Sequence, residues 1–273
     1  GGSANTTWNN CLFYENQGDS WSSAFSASQS SEATFINCTF VDNKTSANNG
    51  VFNIGYGGDI IFFNSILWNE NNPEISFNTV NDSVNTVTFM NTVVEGGLEG
   101  IESSYGIEQN VANWLTGNID TYPVFADSAN DDYSLSDLSP AISAAADSGE
   151  IESMWYYAPP TDIEGNPRPN PEDTNPDMGA YEDSLGSQLV FFTDDSFRVA
   201  INEALGQPPE HQPTAEEMET ITSLSALNRE ISDITGAEYL VNCTILDLND
   251  NQITDITPVS DLTNLTYLQL GSN

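Results

Sequence analysis

Phe35-Ile36-Asn37-Cys38-Thr39-Phe40 contains a tetrad, Asn37-Cys38-Thr39-Phe40, with three counterparts in the chain: Asn10-Cys11-Leu12-Phe13, Asn64-Ser65-Ile66-Leu67 and Asn91-Thr92-Val93-Val94. The four begin at 10, 37, 64 and 91, so each difference is 27. Flanking columns keep the same step. Trp8, Phe35, Phe62 and Phe89 are aromatic, and Phe13, Phe40, Leu67 and Val94 are apolar. Short runs rich in β-branched and aromatic residues, such as Ala33-Thr34-Phe35-Ile36 and Asp59-Ile60-Ile61-Phe62-Phe63, read as strands. A second strand per coil reads at Ala24-Phe25-Ser26, Val51-Phe52-Asn53-Ile54 and Ile75-Ser76-Phe77, with Asn, Gly, Asp and Ser in the turns between. A repeat of this length suits one coil of a β-solenoid, in which each strand pairs with its equivalent one coil away and like residues stack. The aromatic and apolar columns then fill the interior. The Asn column falls at a bend, where amides can bond to each other and to free backbone groups.

The chain has 273 residues, enough for one large domain or two ordinary ones, and 38% hydrophobic content supports a packed core. Its charge is lopsided, with 41 acidic against 4 basic residues and a net charge of -37. Such a field repels polyanions, and there is no basic cluster to displace counterions from phosphates, so no nucleic-acid partner is expected and anionic membrane surfaces are poor partners. The acidity suits solubility in salty surroundings, and it also admits calcium, which takes carboxylate and carbonyl oxygens, as a candidate cofactor. No apolar run reaches the roughly 18 residues that span a bilayer. The chain opens without Met and stops inside a repeat, so a longer natural protein is expected.

Cys11, Cys38 and Cys243 are too few for a disulfide scaffold, and their number is odd. Cys11 and Cys38 share a column one coil apart and are expected to be neighbours. Ser65 and Thr92 continue that column without sulfur, which favours small buried filler. Sequons at Asn5, Asn81 and Asn242 matter only in a glycosylating host.

The coils around Phe35 to Asn43 resemble the right-handed parallel β-helix of pectin-lyase-like proteins, including β-helical surface proteins. From 118 to 182 a different succession follows: Thr121-Tyr122-Pro123-Val124-Phe125, Asp132-Tyr133-Ser134-Leu135, Ser139-Pro140-Ala141-Ile142, Asp162-Ile163-Glu164-Gly165-Asn166-Pro167 and Asp177-Met178-Gly179-Ala180-Tyr181-Glu182. That order is similar to the C-terminal end of bacterial secreted β-helix proteins carrying varied surface anchors. The family form continues Ser-Pro-Ala-Ile with Asp-Ala-Gly, whereas here Ser143-Ala144-Ala145 follows. A Pro-rich segment in this place is expected to cap the open end of the solenoid and cover its strand edges.

Beyond Ser187 the pattern turns helical. Asp194-Asp195-Ser196 offers an N-cap, Phe197, Ala200, Ile201 and Leu205 recur at helical spacing, and Gly206-Gln207-Pro208-Pro209 ends the run. Thr214 with Glu217 reads as a capping box. A second period appears in Leu224, Leu246 and Leu268, whose numbers differ by 22 at each step. Ile245-Leu246-Asp247-Leu248-Asn249-Asp250-Asn251-Gln252-Ile253 and its continuation resemble an internalin-type leucine-rich repeat. The likeness implies that the leucines and Cys243 face the core, that Asn251 bonds the backbone of the adjoining bend, and that the helix ending at Leu205 caps the array. It also implies a ligand-facing set, Ile245, Asp247, Asn249, Tyr267 and Gln269.

The expected fold is mostly β: a right-handed parallel β-helix in 1–117, its Pro-rich capping segment in 118–186, and a small helical cap with the start of a leucine-rich repeat in 187–273. Catalytic signs are sparse. Many β-helices are polysaccharide lyases or hydrolases, but fold does not decide function. The solenoid region offers Lys44 and the following segment Arg168, against the cluster of bases a polyuronate lyase uses. Asp131-Asp132 stands without the partners of a polygalacturonase signature, and the single histidine, His211, reads as an exposed loop residue. One histidine builds neither a His triad nor a multi-His zinc site. Asp162-Ile163-Glu164-Gly165-Asn166 has spaced oxygen ligands but lacks the rest of an EF-hand loop, so a tight turn is favoured over a calcium site. The sequence thus leads to a noncatalytic extracellular or cell-surface adhesion or display protein whose repeat surfaces bind protein or glycan ligands. The alternative is a carbohydrate-active enzyme whose catalytic coils lie outside these residues.

Overall fold

The structure, a computed structural model, describes residues 5–18, 22, 24–45, 49–70, 72–78, 83–103 and 110–273. Asn81 and its neighbour Asp82 fall outside these. The chain forms two compact units, Gly1–Gly186 and Ser187–Asn273.

The first unit is a parallel β-helix with three sheets. Sheet A stacks Asn5–Asn9, Glu32–Ile36, Asp59–Phe63, Asn85–Met90 and Asn110–Trp114. Sheet B stacks Leu12–Tyr14, Thr39–Val41, Ile66–Trp68 and Val93–Val94. Sheet C stacks Phe25–Ala27, Phe52–Gly55, Ile75–Asn78 and Glu102–Ser103. The register pairs Trp8 with Phe35, Phe35 with Phe62 and Phe62 with Phe89, so the step read from the tetrads is one coil. Phe52 pairs with Ile75, so the third coil is shorter before sheet C. Sheet B is the strand set that the sequence hides, because its strands begin only two residues after each bend.

That bend explains the Asn column. Asn10, Asn37, Asn64 and Asn91 all adopt left-handed backbone, with φ between 49 and 54°. A β-branched residue there would be strained, whereas Asn tolerates it. Inside, the aromatic column stacks nearly face to face, Phe35 to Phe62 at 5.4 Å and Phe62 to Phe89 at 5.3 Å. Phe52 from sheet C meets Phe62 edge-on at 4.9 Å. The core is thus one aromatic ladder with perpendicular rungs.

The column after each Asn is not apolar filler. Ser65 Oγ accepts from Cys38 N and donates toward Phe35 O and Phe63 O, at 3.2, 3.3 and 3.1 Å. Thr92 Oγ1 repeats the pattern with Ser65 N, Phe62 O and Met90 O. Cys38 Sγ takes the hydroxyl's place, reaching Trp8 O and Ile36 O at 3.5 and 3.4 Å. The column is filled by short side chains that can bond the backbone at the bend, which serine, threonine and cysteine all supply.

A second amide ladder runs from Asn16 to Asn43 to Asn69 and ends on Glu74, whose carboxylate accepts from Asn69 N and Nδ2 at 2.8 and 2.7 Å. Burial pushes the Glu74 carboxyl up to about 8.

The segment after residue 118 differs from the expected end cap. Residues 118–119 do extend the sheet B edge, with Ile119 bridging Val93. The rest runs along the flank of the coils as a strap. Asn10, Asn37 and Asn64, one per coil, donate their side-chain amides to Thr161 O, Asp177 O and Ala146 O. The physical reason lies in sheet B, whose strands are apolar on both faces and so need an outer cover. Val41, Ile66 and Val93 there form a second core with Phe125, Tyr133, Leu135, Ala141, Ile142 and Met178 of the strap. Gly179 makes the close approach that this requires: its φ is 94°, its N–H donates to Asn64 O at 2.8 Å, and a Cβ would strike Ile66 and Thr39.

The second unit begins with helix α1, Asp195–Leu205, and helix α2, Ala215–Glu219. Both caps expected from the sequence are present. Asp194 accepts from Ser196 N and Phe197 N, and Thr214 with Glu217 forms a reciprocal capping box. Three short parallel strands follow, Ser223–Ser225, Ile245–Asp247 and Tyr267–Gln269, with Leu224 opposite Leu246 and Leu246 opposite Leu268, the register of the second period. Leu224 and Leu246 point inward with Cys243, Leu248, Ile253 and Phe197. Asn251 ties the bend: its Nδ2 donates to Ala226 O and Leu248 O at 2.8 and 2.9 Å, and its Oδ1 accepts from Arg229 N and Ile231 N. Asn251→Ala strands these buried groups, so urea unfolding of this unit is expected to show a loss of about 2 kcal/mol, and an unchanged midpoint would contradict the account.

Candidate functional site

The outward face of the three-stranded sheet in the second unit carries two rows. Alternation along each strand sends the leucines in and their neighbours out. Ser223, Ile245 and Tyr267 make one row, and Ser225, Asp247 and Gln269 the next. Of the five residues singled out from the sequence, Ile245 and Tyr267 are exposed, at 44% and 51%. Asp247, Asn249 and Gln269 are half-buried. Asn249 lies just past the strand, where its amide donates to Gln269 Oε1 at 2.6 Å and its N–H to Asp247 Oδ1 at 3.1 Å. Gln269 in turn donates to the Tyr267 hydroxyl. The structure therefore brings all five together. It presents an aliphatic and an aromatic side chain to solvent beside a polar network already held in place.

The first unit offers a second exposed group. Ser148–Ile151 and Met154–Tyr157 form an antiparallel hairpin in the strap. Tyr156 turns toward Phe63, while Trp155 and Tyr157 face solvent at 57% and 63% exposure. Their rings are 6.4 Å apart and 28° from parallel. Glu150 pairs with Trp155 across the hairpin. This pair was not singled out from the sequence; alternation in Met154-Trp155-Tyr156-Tyr157 was the available signal.

The remaining candidates are placed as follows. Lys44 is exposed in a two-residue strand, Lys44–Thr45, that pairs with Gln17–Gly18. Asp131 is exposed in a turn and Asp132 opens the strand Asp132–Leu135, also exposed, where it accepts from Ser134. His211 departs from its expected exposure: it is half-buried and its Nε2 lies 2.8 Å from Glu217 Oε2 of the capping box. That bond ties the ring to the carboxylate at the start of helix α2.

Asp162 is buried, and its carboxylate accepts from Glu164 N, Asn166 N, Asn166 Nδ2 and Glu182 N. Burial alone would raise this carboxyl, but the bonds led by Asn166 hold it below its usual range. The five-residue run is a tight turn around one carboxylate. Beside it, Arg168 and Glu182 form a wholly buried ion pair at 2.8 Å. Burial, and then the Glu182 charge, push the neighbouring Asp177 up to about 7. Among the described residues, no group of three or more His, Cys, Asp or Glu side chains is disposed to hold a metal ion. No helix among them is long and apolar enough to cross a membrane.

Residues 241–273 match the family described as leucine rich repeats, in two copies. Two solved structures are similar to part of the chain. One is an internalin from Listeria monocytogenes, 41% identical over 30% of this chain and 24% of that one, with a TM-score of 0.29. The other is internalin C2 from the same species, 38% identical over 30% of this chain and 37% of that one, with a TM-score of 0.29. The chain thus spans between a quarter and two fifths of the length of those proteins. No curated protein sequence matches the chain. From the stacked coils and the matched repeats together, the chain is a mostly β solenoid repeat protein that carries leucine-rich repeats in residues 241–273.

Proposed function

We propose that the chain is part of a noncatalytic extracellular or cell-surface protein that binds a protein ligand through the exposed face of its leucine-rich repeats. The observation that carries this reading is the row of Ile245 and Tyr267, an aliphatic and an aromatic side chain exposed next to Asp247, Asn249 and Gln269, whose hydrogen bonds pre-order the polar part of the face. Aromatic anchors with a polar surround are the usual energetic centre of a protein contact. On this reading the β-helix, similar to the pectin-lyase-like solenoids, is a spacer, and its strap corresponds to the segment found in anchored secreted proteins. The strong acidity suits a surface in salt and disfavours anionic partners.

A glycan contact at the β-helix is a second reading, favoured by one observation. The near-parallel Trp155 and Tyr157 rings, with Glu150 beside them, can stack on a sugar's apolar face while a carboxylate accepts from its hydroxyls.

The test is one screen of the full-length protein on protein and glycan arrays, together with a polysaccharide-degradation assay. Binding without turnover is expected, with Tyr267→Ala weakening a protein ligand by roughly tenfold or more, ~1.4 kcal/mol. Retention on a glycan that is lost with Trp155→Ala and kept with Tyr267→Ala would assign the contact to the hairpin instead. Turnover of any polysaccharide would overturn the noncatalytic reading and favour a carbohydrate-active enzyme.

A further inference from the structure

We infer that Cys11 and Cys38 are the two halves of a cross-coil disulfide, a covalent modification site that closes the first coil of the β-helix onto the second when a small-molecule disulfide is present as oxidant.

The geometry comes from the hydrogen-bonded column described above. In that column each side chain reaches back to the preceding coil, and Cys38 Sγ does so by contacting Trp8 O at 3.5 Å. Cys11 Sγ turns to Asn9 O at 3.2 Å, one residue further along the same strand end. The two thiols are thus drawn to the carbonyls of consecutive residues, Trp8 and Asn9, at one strand end, which sets the sulfurs side by side. Their backbones are held in the same rung, since Thr39 N donates to Cys11 O at 2.9 Å and Leu12 pairs with Thr39. Neighbouring parallel strands lie about 4.8 Å apart, inside the Cα separation of roughly 4.4 to 6.8 Å that a disulfide spans. Bond formation therefore asks for side-chain rotation and a small inclination of the two Cβ atoms toward each other, to roughly 4 Å, with the rung pairing kept.

Exposure and acidity divide the labour between the two sulfurs. Cys11 is partly exposed, and Cys38 is buried. The neighbouring Cys38 thiol draws the Cys11 thiol down to about 7, while burial holds the Cys38 thiol up. At neutral pH a large share of Cys11 is then thiolate and reachable by solvent. Cys11 S⁻ attacks one sulfur of the oxidant, forming a mixed disulfide and releasing one thiolate, which takes up a proton. Cys38 then gives its proton to solvent and attacks Cys11 Sγ. The Cys11 to small-molecule bond breaks and a second small thiol leaves. Overall two protein thiols are oxidised and one small disulfide is reduced to two thiols. Cys243 is buried in the other unit's core and takes no part.

The test uses the full chain treated with oxidised glutathione under native conditions, read by intact mass, peptide mapping and thiol titration. The expected result is that free thiols, titrated after the treated chain is denatured, fall from three to one, that the mapped bond is Cys11 to Cys38, and that the thermal midpoint of the β-helix unit rises. Cys38→Ser is expected to fold, because Ser65 occupies the same column one coil on, and to accumulate a stable glutathione adduct on Cys11. An unreactive Cys11, an adduct on Cys11 that persists in the unmutated chain, or a bond between chains through Cys243 would each overturn the inference.

Discussion

Replacing Arg168 with alanine is expected to remove about 3 to 5 kcal/mol from the stability of the β-helix unit. The guanidinium is wholly buried and serves four partners: Glu182 through Nε, Asn10 Oδ1 through NH1, and Gly179 O and Tyr181 O through NH2. Removing it leaves Glu182, equally buried, as an unpaired charge beside Asp177, whose N–H donates to the same carboxylate. Arg168 also reaches the first coil through Asn10 while the strap backbone it holds crosses the second and third, so the loss falls on the whole strap.

The size of the effect separates an unpaired charge from lost packing. Arg168→Ala combined with Glu182→Gln is expected to recover part of the deficit, because the unpaired Glu182 charge is gone. Burial already raises the Glu182 carboxyl, with Arg168 opposing. A raised carboxyl contributes stability below its unfolded value, about 4.3, and loses it as pH rises through the folded value. The Arg168→Ala deficit should therefore be larger at pH 7 than at pH 5. Urea unfolding at the two pH values checks this; a deficit independent of pH would assign the effect to packing instead.

Phe62→Ala is the second large change, with an expected loss of about 3 to 5 kcal/mol. Phe62 is fully buried, stacked between Phe35 and Phe89, and met edge-on by Phe52 and Phe40. Its deletion opens a void in the middle of the ladder, where the coils above and below cannot close without breaking register. Phe62→Leu keeps most of the volume and should cost far less, since it forfeits mainly the ring contacts, about 0.5 to 1.5 kcal/mol each. Chemical denaturation of both variants is the measurement. Equal losses would show that the site collapses freely and that stacking, not volume, governs it.

The strands of sheets A and C, the interior columns, the bend at the Asn column, both helix caps and the leucine register were all legible in the chain as written. Each depends on contacts between residues one repeat apart or closer, so periodicity reports them directly. Phe35, Phe62 and Phe89 had to stack once the coil length equalled their spacing, and Asp194 and Thr214 had to cap because free N–H groups follow them.

Other features waited on tertiary structure. That the 118–186 segment lies along the coils depends on Asn10, Asn37 and Asn64 meeting Thr161, Asp177 and Ala146, contacts far apart in sequence that no repeat encodes. His211 lies in a loop as the sequence suggested, and only its half-burial against Glu217 waited on the folded turn between them. At the proposed binding face the five residues were named from the sequence, and the fold decided that Asn249 would bond Gln269 on the next strand. The tetrad that defined the coil, Asn37-Cys38-Thr39-Phe40, shows the division most plainly. The sequence alone placed it at a bend with Phe40 inside, since alternation and spacing are local. The period also set Cys38 beside Cys11, but only the folded chain decided that Asn37 would hold Asp177 of the strap and that Thr39 would receive Ala180 N, because hydrogen-bond partners at a distance are chosen by packing and not by period.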